Sequence, residues 1–278
     1  MLNIDLHCHS TVSDGALTPA TVAARARENG VDVWALTDHD EISGIPEARD
    51  AAYGVGMRHV TGVEISVTWA MRTVHIVGLG FDESSQDLVQ GLASTRSGRE
   101  RRAHEMAAQL AKAGIPNAFE GALKHVGNPD LISRTHFARY IIELGMCPDI
   151  SDVFRNYLIE GKPGYVPHRW ANLKDAVTWI RSAGGIAVVA HPGRYDFDDL
   201  ELDVFLSEFK RFGGTAIEVV TGSHTVEEYS RFAIVANNYG LLASRGSDFH
   251  APGESSTELG ALPALPSTVV PVWRDWHM

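Results

Sequence analysis

The sequence has few of the features that mark secreted or membrane proteins. Only two cysteines, Cys8 and Cys147, occur in 278 residues, so no disulfide framework is predicted and a reducing compartment is expected. The first residues show no basic segment followed by a long apolar one, which argues against a signal peptide. No run approaches the roughly 20 apolar residues that a membrane-spanning helix needs. We therefore expect a cytoplasmic protein with no membrane partner.

Positive charge is also scarce. Lys and Arg number 24 against 35 Asp and Glu, which gives a net charge of -11. This balance argues against nonspecific binding to long nucleic acid, which usually requires a basic face. It leaves room for a small anionic substrate, or a short RNA, held by a few local cations. Bound divalent cations would offset clustered acids, so part of the negative charge is consistent with a metal site.

Short apolar runs alternate with helical patterns through most of the chain, and this rhythm predicts seven strands. The predicted strands are Leu2–His9, Asp32–Thr37, His59–Ile65, Thr73–Gly80, Ile186–Ala190, Thr215–Val220 and Leu241–Ser244. The first helix between them is expected to begin after a cap at Thr18, with Pro19 in its first turn, and to end at Gly30. Seven such units predict an α/β fold, a closed or nearly closed parallel barrel with helices outside. In such barrels, catalytic groups lie at the carboxyl ends of the strands.

Six of the seven predicted strands carry a histidine or an acid at or just beyond the strand. In the first, DLHCHS, alternation places Asp5, His7 and His9 on one face and Cys8 on the other. Two imidazoles on one face can bind one ion, with Asp5 orienting them from behind and Cys8 in the core. The alternative is that each histidine is a core side chain with a satisfied hydrogen bond. Recurrence at six sites favours a metal site, because buried acids and histidines are costly without partners.

The motifs DLHCHSTVSDG, LTDHD, GVEIS, HIVG, AHPGR and SDFH, in this order, resemble those of the PHP (polymerase and histidinol phosphatase) superfamily of phosphoesterases. They extend from residue 2 to about residue 250. A finer similarity, carried by SRTHFARY, KPGYVPH and GSDFHAPGE, is to small bacterial members that resemble the 3',5'-nucleoside bisphosphate phosphatases. The resemblance implies a distorted (β/α)7 PHP barrel.

The resemblance also implies three divalent metal ions. The implied ligands fall into three groups, with Glu64 bridging the first two: His7, His9, Glu64 and Asp248; Glu64, His75 and His191; and Asp14, His39 and His250. Mixed imidazole and carboxylate ligands suit manganese, iron or zinc better than calcium, and manganese is the ion we expect first. Asp38 and Asp40 flank His39 and either support the ligands or, for Asp38, cap the following turn.

Between Gly80 and Ile186 no short apolar runs typical of strands occur, and the sequence shows helical patterns instead. These patterns predict helices at Arg96–Lys112, Phe119–His125, Thr135–Leu144 and Ile150–Glu160. We therefore expect a PHP barrel of residues 1–95 and 168–278 carrying a helical subdomain, residues 96–167, over the active site. The cluster Arg99, Arg101 and Arg102 is interpreted as a solvated helix face rather than a nucleic-acid contact.

Several cations near the expected mouth of the barrel are candidates for binding a phosphate. Arg134 and His136 lie at a predicted helix start, where backbone N–H groups favour an anion. Lys162 precedes a Pro-Gly bend, and Arg194 follows AHPG. Surface salt bridges are the alternative role for each of them. His224 follows IEVVTG and is a candidate for protonating a leaving alkoxide or, equally, for capping.

The combined prediction is a metal-dependent phosphomonoesterase with a small nucleotide substrate. The resemblance implies that it removes the 3'-phosphate of nucleoside 3',5'-bisphosphates and yields a nucleoside 5'-monophosphate. We expect metal-activated water, rather than a serine or cysteine, to attack phosphorus. The alternatives are a 5'-to-3' exoribonuclease on short RNA, a histidinol-phosphate-type phosphatase, a metal-dependent amide hydrolase, and a noncatalytic module that binds a phosphorylated ligand. No protein partner is inferred.

Overall fold

A curved sheet forms the centre of the fold in the computed structural model, which describes residues 2–276. Its strands are β1 Ile4–Asp5, β2 Val33–Leu36, β3 Arg58–Trp69, β4 Arg72–Leu79, β5 Ala171–Asn172, β6 Ile186–Val189, β7 Ala216–Thr221 and β8 Leu242–Gly246. Seven of them follow the order β1-β2-β3-β4-β6-β7-β8, and the short β5 pairs with β3 outside this path. Backbone hydrogen bonds from Leu6 to Arg245 and from Asp248 to His7 join the two ends. The predicted, nearly closed barrel of seven strands is confirmed.

The prediction that all strands are parallel is wrong for one strand. β4 runs antiparallel to both of its neighbours, β3 and β6. Only Ala70 and Met71, both with positive φ angles, separate β3 from β4. A connection this short makes a hairpin, because a parallel crossover needs a dozen or more residues. Because β4 is reversed, its first residues, including His75, lie at the rim where the parallel strands end.

Helices cover the outside of the barrel. They are α1 Pro19–Glu28, α2 Ile45–Gly54, α3 Gln86–Arg96, α8 Leu173–Ser182, α9 Asp199–Phe212 and α10 Val226–Tyr239. The side chain of Thr18 accepts a hydrogen bond from Thr21 at the start of α1, as the sequence predicts for a helix cap. No helix within residues 2–276 is both long enough and apolar enough to cross a bilayer. The cytoplasmic location stays a prediction.

The core divides into layers inside and outside the sheet. One cluster draws on six strands and the C-terminal segment but on no helix, so it fills the barrel; it includes Ile4, Val33, Val77 and Val188. Cys8 lies in another cluster, where its sulfur accepts a hydrogen bond from Trp34 Nε1 at 3.0 Å. The prediction that Cys8 belongs to the core is confirmed.

The chain between β4 and β5 continues, after α3, as a group of helices with its own hydrophobic core. These are α4 Arg99–Lys112, α5 Ala118–Leu123, a 3-10 turn Pro129–Leu131, α6 Arg134–Glu143, α7 Ile150–Val153 and a π turn Phe154–Leu158. Their shared core is a separate cluster that includes Met106, Leu110, Phe137, Ile141 and Leu158. The separate core supports the predicted insertion, whose exact bounds, 96–167, stay a prediction. The first predicted helix, Arg96–Lys112, is broken at Gly98, which has a φ of 87°.

Candidate metal centre and substrate pocket

Nine histidine and carboxylate side chains meet at the rim of the barrel. Eight of them form three overlapping groups, and within each group the ligand atoms lie within 4.8 Å of one another. The groups are His9, Asp14, His39 and His250; His7, His9, Glu64 and Asp248; and His39, Glu64 and His75. His191 joins them through its Nε2, which lies 2.9 Å from Glu64 Oε1. The structure thus brings together all nine predicted ligands. His9 and His39 each fall in two groups, so the division of the ligands among three ions stays a prediction.

The backbone is strained where these side chains are presented. Asp40, His191 and Asp248 have φ angles of 52°, 26° and 55°, a left-handed region that side chains other than glycine rarely adopt. Gly246 passes so close to His7 that a Cβ built on it would lie 2.2 Å from His7 Cβ. Strain of this kind persists where the surroundings hold it, and it is typical of functional sites.

Several buried nitrogen and oxygen atoms of this cluster have no hydrogen-bond partner among residues 2–276, unlike most buried polar atoms in proteins. The atoms without a hydrogen-bond partner in the described part of the chain include His7 Nε2, both ring nitrogens of His9, Asp14 Oδ1, His39 Nδ1, Glu64 Oε2 and His191 Nδ1. Buried polar atoms are normally satisfied, and leaving several together unpaired is costly. Imidazole nitrogens and carboxylate oxygens are donors for divalent transition metals. The donor set therefore fits a metal centre.

The carboxylates of the cluster are held in their ionised form. Burial by itself would raise the pKa of Glu64, Asp14 and Asp248. The neighbouring imidazoles outweigh burial and hold all three pKa values well below the ordinary range. The three groups can therefore act as anionic ligands at neutral pH.

Glu218 supports two of the ligands and was missed in the sequence. Its Oε1 lies 2.8 Å from His7 Nδ1, and its Oε2 accepts the backbone N–H of His191 at 2.6 Å. A carboxylate on Nδ1 selects the tautomer that leaves Nε2 of His7 free for an ion. The available signal was a single acid within the otherwise uncharged, fully buried strand β7.

Asp5 does not have the role predicted for it. Its carboxylate accepts hydrogen bonds from the backbone N–H groups of Ser247 at 2.8 Å and Gly260 at 2.9 Å, not from the two histidines. It therefore fixes the loop that carries Asp248. The alternation argument failed for Asp5, although it holds for His7, Cys8 and His9, because β1 ends at Asp5 and the pleated geometry does not continue to His9.

Asp38 and Asp40 both support the cluster. Asp38 accepts hydrogen bonds from the backbone and hydroxyl of Ser10, at 2.8 and 2.7 Å, and from the hydroxyl of Ser13. These bonds fasten the loop between His9 and Asp14. Asp40 accepts the backbone N–H of Ser66 at 2.7 Å. Of the two roles considered for Asp38, the structure favours support of the ligand loop over capping.

A cavity of about 100 Å³ lies directly over the cluster. The helical insertion contributes Arg99, Arg102, Ser133, Arg134, Thr135 and Phe154 to its wall, beside Trp170 and Arg194. A second cavity of about 430 Å³ adjoins it and shares Arg194, Asp248 and His250. The hydroxyls of Ser133 and Thr135 donate to Asp14 Oδ2 at 3.2 and 2.9 Å, so the insertion contacts the cluster directly.

Comparison with known proteins agrees with this geometry. The model of the family described as PHP domain matches residues 5–185. The chain belongs to the PHP family. A 3',5'-nucleoside bisphosphate phosphatase from Chromobacterium violaceum is 50% identical over 99% of this chain and 96% of its own length. A 5'-3' exoribonuclease from Haemophilus influenzae is 42% identical over 98% of each chain.

Solved structures show the same PHP fold. An amidohydrolase from Chromobacterium violaceum, solved with bound sulfate and no metal, matches with a TM-score of 0.96 and 50% identity. The match covers 98% of this chain and 95% of that one. A protein from Bifidobacterium adolescentis, described as a metal-dependent phosphoesterase, matches with a TM-score of 0.83 and 27% identity over 98% and 93% of the two chains. The PHP barrel predicted from the sequence is confirmed.

Two of the four predicted substrate-binding residues line the cavity of this PHP protein. Arg194 donates through Nη1 to Asp248 Oδ2 at 2.8 Å and borders both cavities. The guanidinium of Arg134 lies 5.4 Å from the ring centroid of Phe154. Both are therefore placed to contact an anion above the metal ligands.

The other two residues lie elsewhere. His136 is fully buried, and its Nδ1 accepts the backbone N–H of Ser133 at 2.9 Å in a capping box of α6. Lys162 is exposed in a turn after Leu158, and it lines neither of the two cavities over the cluster. Substrate contact by His136 and Lys162 stays a prediction that no contact in the structure supports.

The interpretation of the arginine cluster on α4 as a solvated face is wrong for two of its three members. Arg99 and Arg102 are 5% and 8% exposed, and both lie against the ring of Trp170. Arg101 alone is solvated, and it pairs with Glu105 one turn later. Residues three apart share one helix face, so the spacing of Arg99 and Arg102 was the signal for a buried pair.

His224 has both ring nitrogens engaged. Its Nε2 accepts the backbone N–H of Gly193 at 3.0 Å, and its Nδ1 lies 3.2 Å from the carbonyl oxygen of Val219. The ring stacks on Phe232 and lines neither of the two cavities over the cluster. These contacts favour a role in holding the turn after His191. A role as general acid stays a prediction.

Proposed function

We propose that this PHP protein is a metal-dependent phosphatase that removes the 3'-phosphate from nucleoside 3',5'-bisphosphates. The products would be a nucleoside 5'-monophosphate and phosphate. One observation carries the proposal: a single cavity combines seven of the nine metal-type side chains on its floor with four guanidinium groups on its wall. The relative of that activity, 50% identical over nearly the whole chain, supports the choice of substrate.

The metal centre in this proposal holds three divalent ions, with manganese expected ahead of iron or zinc. His7, His9, His39, His75, His191, His250, Asp14, Glu64 and Asp248 are the proposed ligands. Their unpaired buried atoms and mixed nitrogen and oxygen chemistry support this assignment. When bound, the ions supply Lewis-acid activation of the attacking water and neutralise charge on the phosphoryl oxygens.

Protein side chains orient the phosphoryl group in this reaction. Arg194 is anchored by Asp248, and its guanidinium has further N–H groups that can donate to a phosphoryl oxygen over the cluster. Because Asp248 is itself a proposed ligand, this contact holds the phosphate binding group and the metal centre in one geometry. Cys8 is buried and engaged with Trp34, which is consistent with direct attack by water rather than by a thiol.

The test is a phosphate-release assay on protein stripped with a chelator and reloaded with Mn²⁺. The substrates are adenosine 3',5'-bisphosphate, a short 5'-phosphorylated oligoribonucleotide and histidinol phosphate, and chromatography identifies the products. We expect release from the bisphosphate with 5'-AMP as product, and loss of activity in the stripped protein. Greater kcat/KM on the oligoribonucleotide would replace the proposal with an exoribonuclease. No hydrolysis at full metal loading would favour a binding module.

A further inference from the structure

A further cavity lies where the segment of residues 264–273 meets the barrel. The backbone N–H of Ala243 in β8 donates to Val270, and the N–H of Val272 donates to Ala243, both at 2.8 Å, so the segment pairs with β8. The cavity beside this pairing has a volume of about 320 Å³. Among the described residues, it shares no lining residue with the two cavities over the metal ligands. A molecule bound there would therefore leave the substrate pocket open.

The wall of this cavity is apolar apart from two residues, Arg245 and Ser267. Its apolar members include Leu2, Leu265, Pro266, Val269, Pro271 and Trp273. Sites for small molecules measure roughly 300–1,000 Å³ and combine an apolar wall with a small number of polar groups. The cavity has the size and the composition of a site for a small organic molecule with one polar end.

The side chain of Arg245 has hydrogen-bond donors to spare. Arg245 is 6% exposed and is the single charged residue of strand β8. Its Nη2 donates to the carbonyl oxygen of Leu262, whereas its Nε has no partner in the part of the chain that the structure describes. A guanidinium carries five N–H donors, and a buried donor without a partner is costly. Arg245 can therefore donate to a ligand in the cavity that it lines.

The charge of Arg245 is not paired either. Asp5 is the buried acid whose charge acts on Arg245. The two oxygens of Asp5, however, accept the backbone N–H groups of Ser247 and Gly260. Within residues 2–276, no carboxylate lies within ion-pair distance of the guanidinium. One positive charge in the wall is therefore available to one negative charge of a ligand.

We propose that this cavity binds a small monocarboxylate, with its carboxylate on Arg245 and its hydrocarbon part against Leu265, Val269 and Trp273. Guanidinium and carboxylate groups match through two parallel hydrogen bonds. A phosphate dianion would bring a second charge against an apolar wall, which is costly without a second cation. The inference does not depend on the proposed function, because the site lies outside the substrate pocket.

The first experiment uses 3-phenylpropionate as the probe and its neutral amide, 3-phenylpropionamide, as the control. Binding to the Mn²⁺-loaded protein is measured by calorimetry. We expect a Kd of about 1 mM or below for the carboxylate. The amide should bind at least about 10-fold more weakly, because it cannot form the charged pair. Equal affinity of the two probes, or no binding of the carboxylate, would overturn the proposal.

A second experiment locates the bound probe. Ala264 is exposed and lines the cavity, so Ala264→Trp should fill it without disturbing the core. Ala261→Trp, at an exposed position three residues earlier that does not line the cavity, is the matched control. We expect Ala264→Trp to raise the Kd of 3-phenylpropionate at least about 10-fold and Ala261→Trp to leave it unchanged. Carboxylates also bind divalent ions, so a wild-type Kd in Ala264→Trp would place the probe at the metal centre and refute the site.

The role of the charge is tested with Arg245→Met, which keeps a long side chain and removes the guanidinium. The Kd of 3-phenylpropionate should rise about 10- to 100-fold, to the value for the amide, while the amide binds as in wild type. If Arg245→Met does not fold, Arg245→Lys replaces it, and the loss of the second hydrogen bond should raise the Kd about 3- to 10-fold. An unchanged Kd in the variant that folds would contradict the assignment of Arg245.

Discussion

Glu218 and His7 face each other inside the barrel, with Glu218 Oε1 2.8 Å from His7 Nδ1. The second oxygen of the same carboxylate holds the backbone of His191. One buried acid thus sets the orientation of two proposed ligands, His7 and His191, which follow different strands, β1 and β6. Glu218 lies beneath the cluster and supports it from the barrel core.

Replacement Glu218→Gln should weaken metal binding while leaving the fold intact. The amide keeps the shape of the side chain, but it cannot accept both hydrogen bonds as a carboxylate does, and His7 loses its preferred tautomer. We expect the Mn²⁺ affinity to fall about 10- to 100-fold, measured by metal titration with elemental analysis. Glu227→Gln, an exposed acid on α10, is the control. Wild-type metal content in Glu218→Gln would contradict the supporting role.

Glu64→Gln should have a larger effect, since Glu64 lies within hydrogen-bond or ion-pair distance of five histidines of the cluster. The substitution removes the central negative charge and one anionic ligand. We expect the metal stoichiometry to fall, and the turnover to fall by at least about 100-fold. The reason is that fewer bound ions remain to neutralise charge on the phosphoryl oxygens in the transition state. Unchanged turnover at full metal loading would refute a bridging Glu64.

Thr135→Val should reveal the link between the insertion and the metal centre. The hydroxyl of Thr135 donates to Asp14 Oδ2 at 2.9 Å, and valine removes this bond at nearly constant volume. We expect the metal affinity of the group around Asp14 to fall about 10-fold, which stepwise Mn²⁺ titration resolves as one weakened site. Thr178→Val, an exposed position on α8, is the matched control. A uniform loss at all sites would point to misfolding instead.

Arg134→Ala should separate substrate binding from metal binding. Arg134 lines the cavity but contacts none of the nine proposed ligands by a hydrogen bond or an ion pair in the described chain. We expect KM for adenosine 3',5'-bisphosphate to rise about 10- to 100-fold with the metal content unchanged. Arg155→Ala, an exposed arginine nearby in the sequence, should behave as wild type. Metal loss in Arg134→Ala would contradict the assignment.

The partly buried imidazole of His59 should make the folded protein less stable at acid pH. Burial lowers the pKa of His59 from 6.5 to about 4, so the unfolded chain binds one more proton than the folded chain between these values. Stability therefore falls as pH drops through this window. In chelator, the free energy of unfolding by urea should lose about 2 kcal/mol more between pH 7.5 and 5 in wild type than in His59→Gln. His104→Gln, which removes an exposed histidine, should keep the wild-type dependence; equal slopes in all three proteins would refute the prediction.

The ligand set could be predicted because the sequence motifs resemble those of the PHP superfamily, and the strand pattern added that six predicted strands have a histidine or an acid at or just beyond the strand. A strand that is followed by His39 or Asp248 delivers that side chain to the rim of the barrel, and parallel strands end at the same rim. Local patterns were also sufficient for Thr18 at the start of α1 and for the helical character of the insertion.

The direction of β4 and the contacts of the supporting acids needed the assembled structure. Asp5 and Glu218 are both acids in β-strands, yet Asp5 bonds to backbone groups of a distant loop and Glu218 bonds to His7. The partners that decide the two roles, Ser247 and Gly260 for Asp5 and His7 for Glu218, lie more than 200 residues away in the chain, so no local spacing distinguishes them.

The sequence by itself predicted a barrel with histidines and acids at its strand ends, because the strand period is a local property. Its motifs implied the nine ligands through their resemblance to those of the PHP superfamily. Only the tertiary structure decided which arginines surround them. Arg99 and Arg102 become buried because the insertion packs α4 against Trp170, and burial depends on what covers a helix face rather than on the face itself.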